Sequence, residues 1–364
     1  MNILKRNYIE GEATVGASFG GTWKVAIVNA STGAVHHPFG DKFRHNLILN
    51  QGLDLFVGSA TYYNDSSVGG ATAAHLVSTL SRAGVGTSTT AAANSQTGIQ
   101  AGAVYTQTAT SGFNHSTTDD TGAGSRTFVR SYDFAPVASP VTYNEAVIEA
   151  QRQNIGALYA YSRFVFPSGV SLVAGQFLRL SYALKITVPC IVTPINVTIS
   201  NGGFTGDGTI KLVGTFNTIF GSLNSSTAVV GDNGYGWKNF LPFWNGNSTS
   251  GTGGNNRLAM LSSAADFPAV GVAPSLALAT NSSHVPPASI TTGVYTAGSG
   301  TRDASYLVAA GNPSATSTLG GLLLYTDSAS NRLTSGYLWK FTTPQSKADT
   351  KALVLGMRVT ITRG

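Results

Sequence analysis

Three histidines and an aspartate lie close together in this chain: His36, His37, Asp41 and His45. Imidazole and carboxylate are the donor set for zinc or iron when a fold brings them to one face. Here they share a stretch punctuated by Pro38 and Gly40, where spacing fixes no geometry. The expectation is loop histidines, with no metal and no other cofactor. The only glutamates are Glu10, Glu12, Glu145 and Glu149. Glu145 with Glu149, or Asp119 with Asp120, would suit a glycosidase if held about 5–9.5 Å apart across a sugar. On one strand, carboxylates four residues apart are about 13 Å apart; on a helix they share a face and come closer. Neither pair comes with a groove signature.

Nucleophilic chemistry has less support. Gly16-Ala17-Ser18-Phe19-Gly20 matches the Gly-x-Ser-x-Gly pattern, but that elbow needs a strand before it and a helix after it. A strand begins near Trp23 instead, so a turn is expected here. Gly202-Gly203-Phe204-Thr205-Gly206-Asp207-Gly208 is glycine-rich yet lacks the Gly-Lys-Ser/Thr of a phosphate loop; it is expected to be a hairpin. Cys190 is the sole cysteine. It sits in the apolar Val188–Val192 stretch and suits a small core filler. One cysteine allows no intramolecular disulfide and no multi-cysteine zinc site.

The remaining chemistry is recognition. Tyr235, Trp237, Phe240, Phe243 and Trp244 form an aromatic cluster among Asn239, Asn245 and Asn247. Aromatic residues of this kind anchor subunit interfaces. The asparagines keep open a second use, in which the aromatic rings stack on a glycan.

These residues must be carried by strands. Trp23–Val28 alternates imperfectly and is closed by Ser31-Thr32-Gly33, the pattern of a strand entering a hairpin. Leu47–Phe56 suits a short helix packing Leu49, Leu53 and Phe56 on one side, with Gly52 weakening it. Residues 58–127 are rich in Gly, Ser, Thr and Ala. They are expected to form an elaborated insertion ordered by neighbouring subunits, with short strands near Leu76–Leu80 and Ala103–Thr106. Phe128, Arg130, Tyr132 and Phe134 share a strand face, and Val141–Ala150 and the aromatic-rich Ile155–Phe166 follow. Phe177–Val188 alternates most clearly: Leu178, Leu180, Tyr182, Leu184, Ile186 and Val188 face one way. The chain closes with Tyr337–Phe341 and Ala352–Thr362. Both halves end alike, with Arg163–Pro167 and Lys340–Pro344 each leading to a long alternating strand. That is either an internal repeat of one β unit or two independent hairpins.

Composition agrees. Charged residues make up 10% of the 364, against about 25% in ordinary globular chains. Ser, Thr, Asn, Gln and Gly must therefore cover the surface, which suits extensive burial against other subunits. Scarce glutamate and lysine argue against long solvent-exposed helices. The net charge of +6 comes with scattered Lys and Arg, so no nucleic-acid surface is expected. No apolar run is long enough for a signal peptide or a membrane-spanning helix, which places synthesis in the cytoplasm.

The stretch Phe43-Arg44-His45-Asn46-Leu47-Ile48-Leu49-Asn50-Gln51-Gly52-Leu53-Asp54 resembles one recurring in phage tail and other virion proteins. In those, Asn-Leu-Ile precedes Gly-Leu-Asp after a β segment with a Thr-Gly turn. Arg163–Val188, with its Phe-x-Phe-Pro, is similar to the same proteins. The resemblance covers residues 10–60 and 125–190. It implies a non-enzymatic structural protein located in the virion, with copies of itself and other virion proteins as partners, most simply in the tail. A glycan-binding adhesin and a capsid decoration protein are the other implied roles. The fold expected is mainly antiparallel β with sandwich-like modules, long polar loops and little helix. One module is expected at 1–192, with the insertion at 58–127, and another at 193–364 with the aromatic-rich loops.

Overall fold

The computed structural model describes residues 8–57, 80, 82–106, 114–116, 125–151, 158–187, 195–201, 204–213, 255–261, 289–292, 296, 298–308, 317–327, 336–348, 350 and 352–364. The chain is built of mostly antiparallel β sheets, with a single eight-residue helix among these residues. The strands of its first half are β1 (Tyr8–Asn29), β2 (Val35–His36), β3 (Arg44–His45), β4 (Leu47–Ile48), β5 (Arg82–Gly86), β6 (Val104–Thr106), β7 (Asn114–Ser116), β8 (Ser125–Asp133), β9 (Val141–Gln151), β10 (Leu158–Leu172) and β11 (Gln176–Thr187). Helix α1 (Asn50–Val57) lies between β4 and β5. The second half contributes β12 (Ile195–Asn201), β13 (Phe204–Val213), β14 (Asn255–Leu261), β15 (Ser289–Thr292), β16 (Thr301–Val308), β17 (Ser317–Asp327), β18 (Gly336–Lys347) and β19 (Ala352–Arg363).

The first sandwich forms where alternation in the sequence is strongest. β11 lies between β1 and β8, and this layer faces a second sheet ordered β4-β10-β9-β5-β6. Leu178, Leu180, Tyr182 and Leu184 of β11 are all fully buried. So are Phe19 and Tyr132 on its neighbours. Each buried leucine contributes about 1.5–3 kcal/mol through removal of apolar surface from water. Ala26 and Val28 are buried as well as Val25 and Ile27, which explains the imperfect alternation of β1. Between the layers Trp23 stacks on Phe164, with ring centroids 4.6 Å apart. Tyr161 meets Tyr182 edge-on at 5.9 Å. Such ring pairs add about 0.5–1.5 kcal/mol each beyond burial. A register shift between Ala160 and Ser162 turns both Tyr161 and Ser162 toward the first layer.

α1 packs on β10. Leu49 and Leu53 are buried as the sequence suggests. Gly52 is not a flaw in this helix. A Cβ there would stand 2.6 Å from the Tyr161 carbonyl oxygen, so glycine lets helix and strand approach.

Two local readings need correction, and a third lies almost wholly outside the described residues. Gly16–Gly20 lies inside β1, a strand interior and not a turn. Residues 82–106 of the expected insertion supply two strands, β5 and β6, that pair on their own chain in the order β9-β5-β6, with β6 where a strand near Ala103–Thr106 was expected. Of the suggested Leu76–Leu80 strand only Leu80 is described; it is buried, and its carbonyl accepts hydrogen bonds from Arg130 Nη1 and Tyr132 Oη.

The second half repeats the strand plan of the first. There, β13-β18-β17-β14 form one sheet with β12 added beyond β13, where the first half instead adds β6 beyond β5, and β19-β16-β15 extend another. The first half has β4-β10-β9-β5 and β11-β8-β7 in the same chain order. Even an irregularity recurs. Residues 166–169 of β10, containing Pro167, bulge between the pairs Val165↔Glu145 and Val170↔Tyr143. Residues 341–344 of β18, containing Pro344, bulge between Gly321↔Lys340 and Leu319↔Gln345. Phe166 and Phe341 open the two bulges, and both are buried. The similar endings seen in the sequence lie on the bulged strand of each half but two residues out of register, since Pro167 is second in its bulge and Pro344 fourth. β1 joins the two sets across residue 192: Tyr8–Phe19 pairs in parallel with β19, and Ser18–Asn29 pairs antiparallel with β11.

Burial pushes the hydroxyls of Tyr132, Tyr161 and Tyr182 well above the ordinary tyrosine value of 10.0. The folded state favours the neutral phenol, so this stabilisation is complete below the unfolded value and lost as pH rises through the folded ones. We expect stability to fall steeply above about pH 10, with tyrosinate absorbance appearing together with loss of near-ultraviolet circular dichroism. Gradual ionisation of all tyrosines with the fold intact would contradict this.

Candidate functional site

Two of the carboxylates that the sequence offered as catalytic, Glu145 and Glu149, share one face of β9 and are buried there. Glu145 and Glu149 lie four residues apart on this strand, the arrangement that holds carboxylates too far apart for direct cooperation. Each faces an arginine. Arg163 of β10 meets Glu145 through Nε at 2.8 Å and Nη2 at 2.7 Å, with both side chains fully buried. Arg82 of β5 pairs with Glu149, and its guanidinium lies 4.0 Å from the centroid of the Tyr105 ring. Burying a charge without a partner is costly, so the four residues form two compensated pairs.

The Glu145 carboxylate also holds a loop. It accepts hydrogen bonds from the backbone N–H of Ser88, Gln100 and Ala101. Arg163 completes the grip, donating to the Thr90 carbonyl and to Gln96 Oε1. Gln96 in turn accepts from Ala93 N–H and donates to the Ala91 carbonyl. Loop 87–101 is thus closed around one ion pair. Gly86 makes room for it: a Cβ there would lie 2.7 Å from Glu145 Oε1 and 2.5 Å from the Ala101 carbonyl. Beside this cradle Leu49, Val147 and Ala160 pack with Leu47 and Ile99. A carboxylate with two guanidinium and three backbone donors is an anchor. Sequence reasoning found both glutamates but missed Arg163, whose only signal was an arginine within an aromatic, apolar run.

The histidine group does not converge. His36 and His45 are exposed on β2 and β3, which pair with different parts of β1. His37 is 3.9 Å from Asp41, while Asp41 is held by Lys24 at 2.7 Å. The Lys24 hydrogen bond and charge keep the Asp41 carboxyl below its ordinary range. No group of three or more metal-binding side chains occurs among the described residues. Lys24 also lies over the exposed Phe43 ring. Asp119, Asp120, Cys190, Tyr235, Trp237, Phe240, Phe243 and Trp244 lie outside the described residues. The expected glycine-rich hairpin has its strands in place, with Asn201 paired to Phe204 across Gly202-Gly203.

A second polar focus lies in the stretch 46–54. Asn46 Nδ2 donates to Ser162 Oγ and to Tyr182 Oη, tying β10 to β11. Arg363 Nε donates to the Ile48 carbonyl, and its Nη2 to Asn50 Oδ1. Asp54 Oδ1 accepts from Gly298 N–H at 2.6 Å. One short segment therefore binds both layers of the first sandwich and the end of the last strand. In comparisons with known proteins, no family model, no curated protein and no solved structure matches this chain.

Arg163→Met should destabilise the protein by about 3–5 kcal/mol, because it leaves a buried carboxylate without its counter-ion. Adding Glu145→Leu should restore only part of this, since three loop N–H groups then lose their acceptor. Urea denaturation gives the energies, and hydrogen exchange gives the loop. Unchanged protection at Gln100 and Ala101 in the double variant would contradict the anchoring role.

Proposed function

We propose that this chain is a non-enzymatic structural component of a bacteriophage virion, a tail protein of tip, fibre or adaptor type that assembles into a symmetric oligomer. Its partners are copies of itself and other virion proteins. The observation that carries this reading is the use of residues 46–54. They belong to the stretch that resembles virion proteins, and here their side chains join layers: Asn46 bridges two strands, Leu49 and Leu53 fill the core, and Asn50 and Asp54 receive the chain's last strand and residue 298. A stretch shared for structural reasons should be built this way.

Charge usage supports the same reading. Of the few carboxylates, Glu145, Glu149 and Asp133 are each paired with an arginine inside or at the edge of the fold. Among the described residues the exposed charges are few, Lys42, Arg44 and Lys185 among them, and exposed apolar side chains such as Phe43, Val104 and Tyr105 lie beside polar ones. Val104 and Tyr105 lie on β6, the end strand of its sheet among the described residues, a position from which a strand can pair with another chain. Among the described residues no helix is long and apolar enough to cross a membrane.

Cryo-electron microscopy of purified particles tests the proposal directly. Density for this chain in a tail ring, fibre or tip is expected. Density on the capsid lattice would replace the tail assignment with decoration, and a distal position exposing residues 235–244 would favour glycan adhesion. Absence from particles would overturn the virion reading.

A further inference from the structure

The two halves share a strand plan, but they are completed differently. In the first, the edge of β11 opposite β8 is filled by Ser18–Asn29 of β1, antiparallel. In the second half the strand that precedes β13, as β1 with its short partners β2 and β3 precedes β4, is β12. Yet β12 pairs with β13, and the edge of β19 opposite β16 is filled instead by Tyr8–Phe19 of β1, in parallel. The second unit therefore takes its completing strand from the far end of the chain.

We propose that Tyr8–Ala17 is a donor arm, and that in the assembled protein the arm of one copy completes the second unit of its neighbour by pairing with that neighbour's β19. This rests on the oligomeric structural role above and supplies its mode of contact. A strand added to a sheet edge binds mainly through main-chain hydrogen bonds. Those bonds are the same whether donor and acceptor belong to one chain or two, so exchanging the arm between identical copies costs no ladder pairs. The balance is set by the concentration of arms around each β19: the chain's own arm wins in dilution, a neighbour's in a crowded assembly. The contact is head-to-tail, arm to β19, and repeats into a closed ring or an open fibre. Because β1 continues through Ser18 into the first sandwich, each exchanged arm fixes a neighbour's second unit against the donor's first.

The register supplies the test, since Ala13 pairs with Met357. In a Cys190→Ser background, one chain carries Ala13→Cys and an isotopically labelled second chain carries Met357→Cys. The two are mixed unfolded, refolded together, concentrated and oxidised, and the linked peptides are read by mass spectrometry. A disulfide between positions 13 and 357 joining the two isotopic species is expected, increasing with protein concentration. A third chain carrying both substitutions should give covalent multimers beyond the dimer when concentrated and closed monomers when dilute. If that chain closes only on itself at every concentration and the mixture gives no 13–357 link, the arm is not exchanged. If neither experiment gives a 13–357 link, the pairing itself is wrong. An oligomer that persists with its arms closed at home would sink this inference alone and leave the virion assignment to the particle images.

Discussion

Everything in this molecule depends on the backbone demands of β1. A strand inside a sheet carries hydrogen-bonding groups on both edges, and buried ones must be paired. At 22 residues β1 is far longer than an ordinary strand, and no single neighbour spans it. β11 serves its later half on one side. On the other side β19, then Gly364, then β3 and β2 follow in succession: Gly364 N–H donates to the Phe19 carbonyl, and Asn46 N–H to that of Gly21.

Scarcity of charge gives the remaining charges unusual weight. Where most proteins scatter Lys and Glu over their surface, this one places Glu145 and Arg163 in its interior. Such a pair adds little net stability over an apolar core. What it adds is shape. Five donors converging on one carboxylate specify a single path for loop 87–101, where a sequence of Ser, Thr, Ala and Gly specifies almost nothing by itself.

How much the sequence discloses follows from the range of each interaction. Strands with period-two burial are legible: β11 and β9 lie where alternation and aromatic content put them, and α1 follows from the apolar spacing despite Gly52, although it begins at Asn50 and the expected first residues Leu47 and Ile48 form β4. β5 is not legible, because Arg82-Ala83-Gly84-Val85-Gly86 has little strand propensity. It is a strand because its glycines admit the Tyr105 ring and the Glu145 carboxylate at close range. Glu145 could be singled out as a rare residue, but its partner could not, since the i to i+18 separation follows no local pattern. The parallel ladder between β1 and β19 joins opposite ends of the chain, and no window of sequence contains both. The duplicated plan is intermediate. Its trace, an aromatic residue and a proline ahead of a long strand, is visible in both halves, while the bulge that gives it meaning exists only once the sheets are paired.

The position of β19 also dictates an order of events in time. On the ribosome the later half of β1 can be matched once residue 187 has emerged, but β19, the partner of the earlier half among the described residues, is made only when residues 352–363 are. At roughly 5–20 residues per second of synthesis, that half stays unmatched for on the order of tens of seconds, and contacts this distant in sequence form slowly even afterwards. During that interval the nascent chain presents an open β edge to everything around it. The rate at which the protein is made, and the spacing of ribosomes on its message, thereby become part of what decides which chain each first strand meets.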